Sequence, residues 1–167
     1  MKGDSVPEII KTLAARPHPW AWSYFGYIIN GFKFHTVCIE MRRLTQNSGV
    51  MLSANIESYA SARDRNPVSG GVNFYGRITD IVEIWYSNDV KFVLFKCDWV
   101  DNKRVMKVGD LNFVTVNFKY LLYQSNKSTD EPFILTTQAM QVWYVLDPIQ
   151  KEWEVVMKMI IHMWAGP

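Results

Sequence analysis

Residues 72–99, VNFYGRITDIVEIWYSNDVKFVLFKCDW, constrain the fold more than any other part of the chain. Two runs rich in β-branched and aromatic side chains flank the polar tetrapeptide SNDV. Side chains of this kind fit a pleated, half-buried surface better than a helix. The spacing therefore predicts a long antiparallel hairpin. A hairpin alone is marginally stable in water and needs further strands beside it. The chain supplies them. YFGYIINGFKFHTVCIEM (24–41) predicts a hairpin turning at Asn30-Gly31, since both residue types tolerate positive φ. SGVMLSANI and NFVTVNF read as single strands, and QVWYVLDPIQKEWEVVMKM as a third hairpin opened by Asp147-Pro148.

The remaining stretches are not strand-like. In DSVPEIIKTLAARP, Ser5 and Glu8 have the spacing of a capping box, and Val6, Ile9, Ile10 and Leu13 share one side. That predicts a short helix stopped by Pro17 and Pro19. PWAWSYF places bulky rings ahead of the first strand, and residues 57–71 and QSNKSTDEP read as loops. The expected fold class is all-β: a small Src-homology-like or bromo-adjacent-homology-like β-barrel of antiparallel hairpins with a short N-terminal helix. Its divisions are residues 1–19 (helix and Pro-rich connector), 20–158 (barrel domain) and 159–167 (tail).

A chain of 167 residues, 49% hydrophobic and 14% aromatic, is one domain's worth of packed core rather than a disordered segment. The balance of 18 basic and 16 acidic residues is close to neutral, far from the strong basic face usual in DNA binders. Two cysteines far apart make no disulfide framework. The N-terminus lacks the apolar core of a signal peptide, and Lys158 and His162 interrupt the apolar end of the chain before it could span a bilayer. An intracellular protein without membrane contact is expected.

Catalytic chemistry finds little support. On a strand, Cys97 shares a face with Val93, Phe95 and Trp99, an apolar row in which a thiol acts as a small hydrophobe. Asp98 falls on the other face with Lys96, and Asp101 in a following Asx-type turn. His35 and Cys38 would point to opposite faces if their segment were extended. His18, His35 and His162 show no metal-ligand spacing, and no phosphate loop, nucleophile elbow or dinucleotide fingerprint occurs. No enzyme activity, cofactor or metal is expected. Three binding surfaces remain. Tyr75, Trp85, Tyr86, Trp99 and Trp143 are candidates for an aromatic cage around a methylated lysine. Arg42, Arg43, Arg63, Arg65, Lys103, Arg104 and Lys107 are candidates for tracking a polyanion. Trp20, Trp22 and Trp164, in the apolar stretches near the two ends, are candidates for a protein interface.

The blocks GYIINGFKFHT, TQNSGVM, FYGRITDIVEI, FVLFKCDW, VNF, PFILTTQAMQVWYV and WEVVMKM, in this order, resemble the plant domain of unknown function 4216. That domain is found near the C-terminal end of CACTA-type (En/Spm-like) transposases. The resemblance runs from about Leu13 to Met159. It implies a transposon-derived plant protein, favours the nucleus over the cytoplasm, and brings no catalytic residues, because the cutting chemistry of such transposases looks to reside in a separate domain. The SARDRNPVSGG and QSNKSTDE loops depart from the usual pattern. The function expected is a non-catalytic macromolecule-binding module. A protein partner or self-association leads, DNA or chromatin binding follows, and a residual nuclease or hydrolase comes last.

Overall fold

The computed structural model of the protein describes residues 6–58, 68–87, 89–109, 113–123, 127 and 130–158. Along the chain these form helix α1 (Glu8–Ala14), strands β1 (Ala21–Tyr24), β2 (Gly26–Ile29) and β3 (Phe32–His35), and the helical turn α2 (Val37–Glu40). Then follow β4 (Gly49–Ser58), β5 (Val68–Trp85), β6 (Lys91–Trp99), the helical turn α3 (Asn102–Val105), β7 (Met106–Val108) and β8 (Val114–Val116). After these come β9 (Phe133–Leu135), a 3-10 turn at Thr136–Gln138, β10 (Met140–Leu146) and β11 (Glu154–Lys158). Strands account for 52% of the described residues, and the fold is mainly β with antiparallel sheets.

The long hairpin forms where its side chains demand. β5 and β6 pair from Gly76↔Trp99 to Trp85↔Lys91, and they anchor a nine-stranded sheet of order β7-β8-β11-β10-β4-β5-β6-β9. β1 is the ninth strand, and β2 and β3 form a separate hairpin. One edge of β5 serves two partners in succession: β4 up to Gly49↔Arg77, then β1 from Tyr24↔Ile81 to Ala21↔Ile84. Between them the register against β6 shifts at Ile78/Asp80, where Thr79 is the extra residue. A bulge of this kind bends and twists its strand. The pairing path does not close into a barrel among the described strands; it ends at β7 and β9, each only three residues long.

Alternation along the strands fills two apolar clusters. One gathers Phe34, Val50, Ile78, Ile81, Phe95, Cys97, Trp99 and Ile134. The other gathers Met51, Tyr75, Val100, Val116, Val142, Tyr144 and Val156. Phe95, Cys97 and Trp99 are buried while Asp98 is exposed, as strand alternation requires. Tyr144 from β10 ties this region together: its hydroxyl lies 2.9 Å from the Gly76 carbonyl and 3.3 Å from that of Val50. Close approach depends on two glycines. A Cβ on Gly49 would meet the Val142 carbonyl oxygen at 2.2 Å, and one on Gly76 would meet the Trp99 ring at 2.8 Å.

Several local expectations change. The loop expected at 57–71 is shorter, because the β4–β5 ladder runs on to Ser58↔Val68; backbone hydrogen bonds carry it through polar and glycine residues without an apolar pattern. Pro7 occupies the N-cap of α1 without a side-chain cap, so Glu8 opens the helix and pairs with Lys11 at 3.3 Å instead of closing a box. Ser5 lies outside the described residues. Val6, Ile9, Ile10 and Leu13 of this helix are exposed. The chain turns helical after His35, so Cys38 sits on α2 rather than on a strand, and it is exposed. Residues 21–24 are strand β1 rather than a lead-in. Much of QSNKSTDEP and all of SARDRNP lie outside the described residues.

Three predictions follow from these packing features. Asn30 and Gly31 both have positive φ, +52° and +80°, the geometry of a type I′ turn. Gly31→Val should cost about 1–2 kcal/mol of strain in urea unfolding, and Gly31→Asn much less. Equal midpoints for wild type and Gly31→Val would remove the turn's control of register. Tyr144→Phe leaves buried carbonyls without their donor and should cost about 1–3 kcal/mol in the same assay. Burial, then the neighbouring Asp98 charge, holds the Cys97 thiol well above the usual thiol range. A thiol reagent on the native protein should therefore modify Cys38 and spare Cys97 until denaturant is added; peptide mapping of the labelled protein reads the difference.

Candidate aromatic and carboxylate site

At the far end of β5 the sheet places a carboxylate among indole rings. The run Ile81-Val82-Glu83-Ile84-Trp85 alternates, so Ile81, Glu83 and Trp85 share a face. Ile81 belongs to the first core cluster. Glu83 comes next outward and its side chain is still only 7% exposed. Across the ladders, Trp22 of β1 stands opposite Glu83, and Lys91 of β6 opposite Trp85. The amide of His18 donates to the Trp85 carbonyl at 2.7 Å, which carries the β1 chain past the end of its strand.

Three groups donate to Glu83. The Trp85 indole N–H lies 2.8 Å from Oε1, the Tyr24 hydroxyl 3.4 Å from the same oxygen, and Lys91 Nζ 3.3 Å from Oε2. Two donors are neutral, so Lys91 is the one cation reaching this buried carboxylate among the described residues. The same ammonium stands 4.9 Å from the centre of the Trp85 ring. Trp20 contacts Trp85 at 6.5 Å and Trp22 edge-on at 6.4 Å, while His18 stacks on Trp20 at 5.2 Å. Centroid separations of this size are those of interacting aromatic pairs.

The other candidates are dispersed. Of the five rings considered for a cage, Tyr75 and Trp99 are buried in different core clusters. The Trp99 indole N–H donates to the Pro132 carbonyl at 3.1 Å. Tyr86 packs edge-on against Phe92, and Trp143 is half-buried on β10. Only Trp85 joins the face just described. Of the cations considered for a polyanion, Arg42 and Arg43 are exposed just after α2, and Lys103 and Arg104 on α3. Arg104 pairs with Asp101 at 3.4 Å, and Lys107 Nζ lies 3.8 Å from the centre of the Trp153 ring. Arg63, Arg65 and Trp164 lie outside the described residues.

Two carboxylates on and just after the long hairpin have local structural partners. Asp80 accepts from Ser23 of β1 at 2.6 Å, and Asp101 caps α3 by accepting from the Lys103 amide. Among the described residues no group of three His, Cys, Asp or Glu could hold a metal, and no helix is long and apolar enough to cross a membrane. An apolar cavity of ≈ 350 Å³ opens between the β2–β3 turn and β10, lined by Ile29, Phe32, Met51 and Met140 with Lys158. Glu83, Tyr24 and Lys91 escaped the sequence reading. The one available signal was a lone acid inside the apolar run IVEIWY, which acquires meaning only once β1 is known to pair with β5.

No curated protein and no solved structure matches the chain. Residues 82–156 match the family Domain of unknown function (DUF4216), the family that the sequence blocks resemble, and this segment carries Glu83, Trp85 and Lys91 of the aromatic face.

Proposed function

We propose that the protein is a non-catalytic binding module of a transposon-derived plant protein, acting in the nucleus, and that it holds a protein partner against the face formed by Trp20, Trp22 and Trp85. One observation carries this reading: the backbone of β1 is fixed in the sheet, while its Trp22 and the Trp20 just before it are 57% and 52% exposed. A tryptophan held on a strand offers a large contact area and has little side-chain freedom left to lose, which is why such residues dominate binding energies at protein interfaces. A barrel-like wrap of the sheet fits the same reading. The chain after β8 returns to the end of β6 through the Val100↔Leu121 bridge, flanked by bonds from the Asp101 amide to Tyr120 and from the Leu122 amide to Trp99. Small β-barrels present loops and strand ends of this kind to partners.

The test is capture from nuclear extract on the immobilised protein, after nuclease treatment and at two salt concentrations, followed by affinity measurement on the purified partner. Trp20→Ala combined with Trp22→Ala should weaken a genuine partner by about 30-fold or more, the size of a hot-spot loss. Sedimentation of wild type and the double variant covers the case in which the partner is a second copy. Binding that survives the double substitution, or that disappears with nuclease or moderate salt as phosphate contacts do, would overturn the reading.

A further inference from the structure

We propose that the face around Glu83 receives an alkylammonium group, a lysine-type side chain of the partner in free or methylated form, and that Lys91 stands in for that group in the unbound protein. This deepens the reading above and rests on it for the origin of the ligand, although not for the site's chemistry.

The argument begins with burial. A carboxylate withdrawn from water is costly unless a cation and hydrogen-bond donors replace its hydration. Tyr24 and Trp85 supply neutral donors to Glu83, and the positive charge comes from Lys91 alone among the described residues. Lys91 is a loose partner: its side chain is 51% exposed and it reaches Glu83 from the first residue of its strand. Pairs with an exposed partner contribute little, so water or another cation can replace it. The place it occupies is built for a cation on a second count, because the ammonium also lies over the Trp85 ring. Indole is the best aromatic surface for a cation. Trp20 and Trp22 extend that surface outward beyond Lys91's own ring contact. An anionic or purely apolar occupant would displace Lys91 and leave Glu83 buried without a counter-charge. An incoming ammonium exchanges one cation for another and gains the exposed indole faces. Methylation keeps the charge and sheds hydration, which suits the rings further.

The probe is the amide-capped amino acid N-ε-trimethyllysine, with capped lysine and the neutral isostere carrying a tert-butyl group in place of trimethylammonium as companions. Titrations follow the indole N–H signals by NMR. Wild type should show saturable shifts at Trp85 and Trp20 with trimethyllysine, and Lys91→Ala should bind it about threefold to tenfold more tightly because the internal competitor is gone. Glu83→Gln should lose about tenfold or more while keeping an acceptor for Trp85 and Tyr24; should that variant fail to fold, Trp20→Ala, at an exposed position, should still lose about threefold. Absence of saturable shifts in both wild type and Lys91→Ala would overturn the proposal. So would an equal response to the neutral isostere, which marks an apolar surface only. Ammonium binding without any captured partner would sink the interaction reading alone. A captured partner indifferent to Lys91→Ala and Glu83→Gln would sink this one alone.

Discussion

The contact on which the rest of the structure depends is the insertion of Tyr144 across the β4–β5 ladder. Its ring can lie there only because Gly49 carries no side chain: a Cβ would fall 3.0 Å from the ring and 2.2 Å from the Val142 carbonyl oxygen, while the bare Gly76 lets Trp99 of β6 close in from the other side. The hydroxyl then bonds the carbonyl of Gly76, and burial drives the phenol far above the usual tyrosine range, so it remains a donor at every relevant pH. Gln46 completes the join: its side-chain oxygen accepts from the Tyr144 amide and its amide group donates to the Tyr144 carbonyl, replacing the strand partner that β4 no longer provides. Next to Gly76, the Arg77 guanidinium lies 4.2 Å from the centre of the Phe118 ring and 5.3 Å from that of Tyr144, and pairs with Glu154 of β11. One strand crossing thus binds β4, β5, β10 and β11 into a single body.

This fixes the aromatic face at a distance. β5 is 18 residues long, and its first half is the strand that Tyr144 locks. Its second half carries Glu83 and Trp85 beyond the bulge at Thr79. The bulge matters because it lets one edge of β5 leave β4 and take up β1. The Ile78 amide donates to Ser48 at 2.9 Å, just past the last β4 pair, and Asp80 then accepts from Ser23 of β1. β1 is four residues long and pairs only with β5, so Trp22 is placed by the register of that single ladder and Trp20 just before it follows. A rigid floor with a short outer strand is a sound way to hold exposed rings without burying them.

What was legible in the sequence follows from how local each feature is. The hairpin at Asn30-Gly31, the β5–β6 hairpin, the β10–β11 hairpin and the burial of Cys97 rest on alternation and on turn residues a few positions apart, and all can be read by inspection. The pairing of β1 with β5 joins residues about sixty apart, and nothing in HPWAWSYF marks it as a strand rather than a ring-rich approach. That one long-range pairing assembles the candidate site. Trp20 and Trp22 were visible as candidates for a protein interface, and Trp85 as a ring on a strand, yet their meeting over Glu83 was not. The five rings first grouped as a cage failed to converge for the same reason. Alternation says which side of a strand a ring occupies, but not which cluster that side faces: Tyr75 and Trp99 both point inward, into separate clusters.

Selectivity on this face belongs to the carboxylate more than to the rings. Indole surfaces accept apolar, aromatic and cationic groups alike, and each contact contributes about 0.5–1 kcal/mol when exposed. Three such rings would make a sticky patch with little discrimination. Glu83 changes that, because its cost falls on every occupant that removes Lys91 without replacing the charge. Oε1 is engaged by the Trp85 indole at 2.8 Å, with the Tyr24 hydroxyl further off at 3.4 Å, which leaves Oε2 as the point where a cation arrives. A ligand is therefore read twice, by its apolar stem along Trp20 and Trp22 and by its charge at a single oxygen. Lys91 sets the threshold for that reading. As a tethered competitor it protects the buried charge when nothing is bound and excludes cations that cannot also use the rings.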